Sequence, residues 1–388
     1  MIQLSDKTST FTDSVIRRMT RVCAKYDAVN LSQGFPDNNP PKELLDRLAQ
    51  AVYKGPHQYA TTWGAANTRE ALAKKIEHFS GLKVDPDSEL VITCGGTEAM
   101  MAAFMATLNP GDKVAIFSPF YENYGADAIL CGVTPIYVSL HEPDFTFDRK
   151  ELEKAFLDGA KALVLCNPSN PSGRVFTYQE LLDIANLAEK YNAFVITDEV
   201  YEHIVFKPNK HVYFATLPGM KDRTVVCNSL SKTYSITGWR IGYVYANAKV
   251  IDRVRKVHDF LTIGAAAPLQ EAVVAGLLLP DSYYENLQKE YTEKRDVFLK
   301  GLDDLGIKYF KPQGSYFVLA DISEFNYDSS LEFCYDLAKY VKVGAVPGQS
   351  FFYEKQERYI RFHFAKDRAV LKQAIANLSH LREKIKVK

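Results

Sequence analysis

Seven short apolar runs, near residues 90, 114, 135, 163, 194, 225 and 241, mostly alternate with helical patterns along the middle of the chain. Strands joined through helices pair in parallel, so this alternation predicts a largely parallel, seven-stranded α/β sheet covered by helices. With 388 residues, 47% of them hydrophobic, the chain can bury a large core and is long enough for two domains or one large one. After a helical stretch at Lys249 to Leu261, a long charged helix near Tyr283 to Leu302 leads into a section with its own strands, Tyr309 to Leu319 and Tyr359 to Phe364. No internal repeat or low-complexity linker stands between the two parts.

Open α/β sheets bind ligands beyond the carboxyl ends of their strands, so the residues leaving each predicted strand carry the functional signal. Ala193 to Thr197 runs into Asp198-Glu199-Val200-Tyr201, which brings out a carboxylate and a phenol together. Ala162 to Cys166 runs into Asn167-Pro168-Ser169-Asn170-Pro171-Ser172-Gly173, ahead of a helical pattern from Tyr178 to Tyr191. Leu90 to Ile92 runs into Thr93-Cys94-Gly95-Gly96-Thr97-Glu98 and a helix over Ala99 to Leu108, a geometry in which backbone N–H groups can approach a phosphate. Arg223 to Asn228 runs into Ser229-Leu230-Ser231-Lys232-Thr233, then Thr237-Gly238-Trp239-Arg240 and a strand over Arg240 to Tyr245.

Taken singly, these signals are weak. Most lysines lie on solvated surfaces, an aspartate after a strand commonly caps a turn, and paired Asn-Pro steps read first as turns. Together they place a lysine, a hydroxyl and an arginine in one short loop that can hold an aldehyde and a phosphate. A lysine amine becomes a covalent catalyst by forming a Schiff base, and pyridoxal phosphate most often supplies the carbonyl. A carboxylate such as Asp198 would keep the pyridine nitrogen protonated, and Tyr201 and the Asn170 amide would reach the ring hydroxyl.

With these four motifs and Tyr359-Ile360-Arg361-Phe362, in the family's order and at its usual separations, the chain resembles the class I pyridoxal-phosphate aminotransferases of fold type I over nearly all its length. The resemblance implies a large cofactor-binding domain over residues 41–280 with the mostly parallel sheet, and a smaller α+β domain from residues 1–40 and 281–388. It implies that Lys232 is the Schiff-base lysine and general base, that Asp198 faces the pyridinium, and that Tyr201 and Asn170 hold the 3-hydroxyl. Gly96, Thr97, Ser229 and Arg240 would hold the phosphate, Tyr121 would stack on the ring, and Tyr59 would reach the phosphate of the neighbouring subunit in a homodimer with composite sites. Gly34 would line the substrate side, and Arg361 would clamp the α-carboxylate in a bidentate pair that lysine does not reproduce. With Lys232 on one domain and Arg361 on the other, substrate binding would draw the two together and exclude water.

A positioned base typically supplies about 10²- to 10⁴-fold, and the amine must be neutral to act. A proton shift followed by hydrolysis releases a keto acid, and a second keto acid reverses the cycle, so ping-pong kinetics are expected.

Lys plus Arg equals Asp plus Glu at 47 each, so neither nucleic acid nor an anionic membrane is indicated as partner. The six cysteines show no CxxC pairing and several lie in apolar strand runs, which reads as free thiols in a reducing, cytoplasmic setting. Met1 to Thr20 lacks the apolar core of a secretory signal. Val91 to Leu108 is nearly uncharged, but its Gly95-Gly96 break and Glu98 read as strand, turn and buried helix instead of a membrane span. Glu202-His203 has no His or Cys partner at metal spacing, and no GxGxxG follows the first strand, so neither a metal site nor a nicotinamide site is expected.

Leu31-Ser32-Gln33-Gly34-Phe35-Pro36-Asp37 and Lys256-Val257-His258-Asp259-Phe260-Leu261-Thr262 resemble the branch holding methionine aminotransferases and glutamine transaminase K, the kynurenine aminotransferase. Tyr59, Trp63, Tyr124, Phe351 and Phe352 are candidates for an apolar side-chain pocket, the last two being equally good core residues. Ile16 stands where kynurenine-type members carry tryptophan, which lowers kynurenine as substrate. Methionine, glutamine or aromatic amino acids are the expected donors and 2-oxo acids the acceptors. An aspartate-preferring aminotransferase, a cystathionine or cysteine-conjugate β-lyase using the same Lys232, and a non-catalytic module on this fold are the rivals.

Overall fold

The structure, a computed structural model, describes residues 2, 4–9, 11 and 13–387; the other positions, four of them within the amino-terminal stretch read for a secretory signal, lie outside the described residues. A helix at Val15–Tyr26 is capped by the Ser14 hydroxyl, which accepts from the Arg17 amide, and buries Ile16, Met19 and Cys23. A two-residue strand, β1 (Val29–Asn30), follows it.

The seven expected strands are all present: β2 (Leu90–Thr93), β3 (Lys113–Ser118), β4 (Thr134–His141), β6 (Ala160–Cys166), β7 (Phe194–Asp198), β8 (Thr224–Ser229) and β9 (Gly242–Tyr245). An eighth, β5 (Thr146–Phe147), adds a two-residue antiparallel edge that the sequence pattern is too short to signal. The order is β2-β9-β8-β7-β6-β3-β4-β5, parallel from β4 through β8, with β9 antiparallel to both its neighbours. The central strands are buried along their length because helices cover both faces.

Val91 to Leu108 resolves as expected into β2, a turn and the helix Gly95–Thr107. Among the described residues no helix is long and apolar enough to cross a membrane, and all six cysteines are unpaired. The 24-residue helix Asp281–Asp304 leads to a second sheet of β10 (Phe317–Asp321), β12 (Val346–Pro347) and β13 (Tyr359–His363), while β11 (Val343–Gly344) pairs in parallel with β1.

The strand expected over Tyr309 to Leu319 is broken. Tyr309 makes an isolated bridge to Ala320, and regular pairing starts only at Phe317. Between them, Pro312 has no N–H to donate, and Gly314 packs so closely on Pro168 that a Cβ there would lie 2.8 Å from the proline ring. This turn presses the second sheet against the Asn167–Gly173 loop.

One apolar cluster joins Met19 and Leu31 to Tyr201, Ile204 and Phe206 and to Phe317, Ile360 and Phe362. The segment after β7 is therefore part of the core of the carboxyl-terminal section.

Candidate active site

Register puts Cys166, Asp198 and Cys227 level across β6, β7 and β8, so the loops that leave these strands emerge side by side. A cavity of about 460 Å³ opens there. Lys232, Asp198, Tyr201, Asn170, Ser229, Arg240, Gly96, Thr97, Tyr121, Tyr124, Gly34 and Arg361 all line it.

Lys232 Nζ donates to the Gly34 carbonyl at 3.2 Å and lies 5.8 Å from the centre of the Tyr316 ring. The Tyr316 hydroxyl donates to the same carbonyl at 2.9 Å. A Cβ on Gly34 would come 2.6 Å from the Phe317 ring and 2.8 Å from that of Tyr316, so only glycine lets the chain pass close enough to meet the lysine.

Asp198 ends β7 and is buried; its Oδ2 accepts from the Tyr124 hydroxyl at 2.6 Å and its Oδ1 from the Val200 amide at 3.3 Å. Burial raises its carboxyl above the usual aspartate range, offset in part by those two donors and by the charge of Lys232. A cation against this carboxylate would draw it back down. Tyr201 is pinned edge-on by Tyr316 and Phe317 at 5.2 and 5.7 Å, and burial holds its phenol well above the ordinary value. Burial likewise raises the Tyr121 phenol, which stands edge-on to Tyr124 at 5.8 Å.

Arg361, on β13, is 1% exposed. Its Nη1 donates to Asn170 Oδ1 at 2.7 Å and its Nη2 to the Ser32 carbonyl at 2.9 Å, while Phe317 and Phe351 hold the guanidinium at 4.1 and 4.6 Å. Its Nε is buried without a partner, and burial pushes the guanidinium down to about 10. No carboxylate among the described residues forms an ion pair with it, so a buried cation faces the cavity uncompensated, a receptor for an anion.

At the other end, the helix Gly95–Thr107 points its first turn into the cavity beside Ser229. Arg240 adopts a left-handed φ of 55°, and its guanidinium lies so close to Gly95, itself at φ +80°, that a Cβ there would overlap it. Its Nη1 donates to the Thr237 carbonyl at 2.9 Å. Helix amides, a hydroxyl and an arginine at one end and a buried carboxylate on the floor fit a flat ring with a phosphate at one edge and a basic nitrogen at another.

Two candidates stand elsewhere. Trp63 packs against the Val91–Ala99 core with Arg255 4.6 Å over its ring, and it does not line the cavity. Tyr59 is 83% exposed and outside it as well. Of the aromatics weighed for a side-chain pocket, Tyr124 is committed to Asp198, Phe351 backs Arg361, and Phe352 stacks on Tyr359 at 5.9 Å.

The mouth of the cavity holds Ser14, Arg17 and Glu122, for which sequence alone predicts no role, with Ile16 and with Gln33 and Phe35 of the branch signature. Ser14 donates its hydroxyl to the Glu122 carboxylate across 108 residues of chain. Arg17 carries no ion pair among the described residues. Their helix reads in sequence as an ordinary amphipathic one, and only Ile16 stood out there, as a departure.

The family description aminotransferase class I and II matches residues 26–378. Methionine aminotransferase of Escherichia coli is 34% identical over 369 residues, 95% of this chain and 96% of that one. Kynurenine–oxoglutarate transaminase 3 of Mus musculus is 33% identical over 386 residues, 92% of this chain and 85% of that one. The solved structure of N-succinyldiaminopimelate aminotransferase from Mycobacterium tuberculosis matches with a TM-score of 0.95 at 34% identity, covering 98% of this chain and 100% of that one.

Proposed function

This chain belongs to the class I and II aminotransferases, pyridoxal-phosphate enzymes of fold type I, and we propose that it transfers the α-amino group of methionine, glutamine or an aromatic L-amino acid to a 2-oxo acid. The observation that carries the reading is that one cavity is lined both by Arg361, a buried guanidinium with no ion pair among the described residues, and by the amine of Lys232. An α-carboxylate on Arg361 Nη and Nε fixes the adjoining Cα, and the amine of Lys232, released from the cofactor, is the base that takes its proton.

When bound, the cofactor supplies a carbonyl to the amino group and a cationic ring that stabilises the carbanion. Asp198, its carboxylate oriented by Tyr124, would take the ring nitrogen, Tyr201 and Asn170 would hold the ring hydroxyl, and Gly96, Thr97, Ser229 and Arg240 would hold the phosphate. The Gly34 carbonyl holds the Lys232 amine, which would take the proton from the substrate Cα and later give it up again on the same side of the site. The keto acid leaves before the acceptor enters, so the kinetics are ping-pong. We propose a division into residues 41–280 and a smaller unit of 1–40 with 281–388, closing on substrate, and a homodimer in which exposed Tyr59 reaches the partner's phosphate.

Arg17 favours a second reading, in which the side-chain end of the site receives a distal carboxylate, as in aspartate or another dicarboxylic substrate. The absorbance of the purified holoenzyme, followed after single additions of L-methionine, L-phenylalanine, L-glutamine and L-aspartate without keto acid, separates these readings. Bleaching of the cofactor band by methionine, phenylalanine or glutamine ahead of aspartate is expected. A kcat/KM for aspartate above those of methionine and phenylalanine overturns the neutral-donor reading, and pyruvate release from cystathionine without any keto acid identifies a β-lyase.

A further inference from the structure

The Lys256-to-Thr262 segment marks the branch in sequence, yet none of it lines the cavity. Its His258, on the helix Ala248–Leu261, is 0% exposed and reaches the back of the phosphate end. Nδ1 lies 2.7 Å from Glu98 Oε1, and Nε2 lies 2.8 Å from the carbonyl of Thr62. A carbonyl only accepts, so Nε2 carries a hydrogen, and a carboxylate facing Nδ1 calls for a second.

Glu98 is saturated in turn: Oε2 accepts from the Cys94 amide at 2.5 Å, and Oε1 also accepts from the Thr262 hydroxyl at 2.8 Å. The bond to Cys94 is that of a first-turn glutamate reaching back to the residue before its helix. Glu98 is thus a buried anion adjoining Thr97 in the same helical turn that is aimed at the cofactor's phosphate. Carboxylate and phosphate compete there for one positive helix end, and without a counter-charge they repel.

We propose that His258 is a positioning residue which, as an imidazolium paired with Glu98, cancels that buried negative charge and so keeps the Gly95–Thr97 turn receptive to the phosphate of the cofactor. The proposal rests on the phosphate role given above to Gly96, Thr97 and Arg240. Burial on its own would lower the titration of His258, but the bond and charge of Glu98 and the Thr62 carbonyl more than offset it and the net shift is upward. Burial likewise opposes ionisation of Glu98, and His258 leads the contacts that bring its carboxyl below the ordinary range. The same imidazole ties Thr62, three residues from Tyr59, to the turn, so the segment proposed to serve the partner's phosphate hangs on it too.

The test strips cofactor from the purified holoenzyme, reloads it with pyridoxal phosphate or with phosphate-free pyridoxal, and takes both dissociation constants from the visible absorbance. His258→Gln is expected to weaken pyridoxal phosphate by roughly ten- to a hundredfold, the effect of one uncompensated charge at low effective dielectric, and to change pyridoxal by less than about twofold. Glu98→Gln, which removes the anion and leaves the imidazole, is expected to leave pyridoxal phosphate affinity within about twofold, and the double variant to recover most of the loss. Equal weakening of both cofactors by His258→Gln would mean packing alone and overturn the proposal. So would a Glu98→Gln variant that itself weakens pyridoxal phosphate by about tenfold or more, which settles the matter even if the histidine variant fails to fold. A wild-type protein indifferent to the phosphate would instead strike at the phosphate role of the turn, on which the proposal depends.

Discussion

The floor and the mouth of the cavity are built in different ways. On the floor, Lys232, Asp198, Tyr201 and Asn170 stand at or just beyond the carboxyl ends of adjacent strands, which are level in register at Cys166, Asp198 and Cys227. At the mouth, Ser14, Arg17, Gln33 and Glu122 come from a helix outside the large sheet, a loop and a turn, and one hydroxyl-to-carboxylate bond is what links the helix start to Glu122. Strand register positions the floor; side-chain bonds, Ser14 to Glu122 and Thr20 to Gln33, hold the mouth, where we propose that the side chain of the substrate is read. Chemistry and choice of substrate are therefore expected to respond to separate substitutions.

The sharpest division should come from Lys232→Ala, which removes both the covalent link and the base. Single-turnover kinetics with L-methionine should slow by roughly 10⁴-fold, the upper end for a positioned base, and an intact rate would end the assignment. Smaller, and still on the floor, is Tyr124→Phe. It removes a donor that holds Asp198 ionised against its burial, so the carboxyl titrates higher still and the ionised form is lost sooner as pH falls. The acid limb of kcat/KM should move to higher pH, with a loss of about tenfold at neutral pH, the scale of one hydrogen bond to a charge. An unmoved acid limb would detach Tyr124 from the chemistry.

The smallest effect belongs to Arg17→Ala at the mouth. The cofactor spectrum should be unchanged and kcat/KM for methionine altered by no more than about twofold, while that for aspartate falls by about fivefold, as for one exposed charge contact. A changed cofactor spectrum in this variant would break the division between the two regions.

The same contrast explains what could be read from the sequence. Asp198-Glu199-Val200-Tyr201 and Ser229 to Arg240 are contiguous and follow apolar strand runs, so their place at the sheet edge was legible. Arg361 was legible as a motif, while its bond to the Ser32 carbonyl was not, because a contact across 329 residues leaves no local pattern. Trp63 was drawn to a side-chain pocket by residue type, which does not separate a core ring from a lining one. The break at Pro312 and Gly314 was visible in composition, but its cause, the packing on Pro168, lies 146 positions upstream (314 − 168). His258 stood out only as part of a branch signature; the partners that make it meaningful, Glu98 and Thr62, are 160 and 196 residues away.

The bond from Arg361 to the Ser32 carbonyl spans 329 residues. On the ribosome, a chain that has emerged as far as residue 300 already holds Lys232, Asp198 and the phosphate turn, yet lacks the strand that carries the clamp. Since synthesis and folding proceed from the amino terminus, the groups proposed to hold the cofactor precede the group proposed to bind the substrate carboxylate. Tyr201, packed with Phe317, Ile360 and Phe362, waits for the same late segment, so the site is complete only when the last part of the chain has been made.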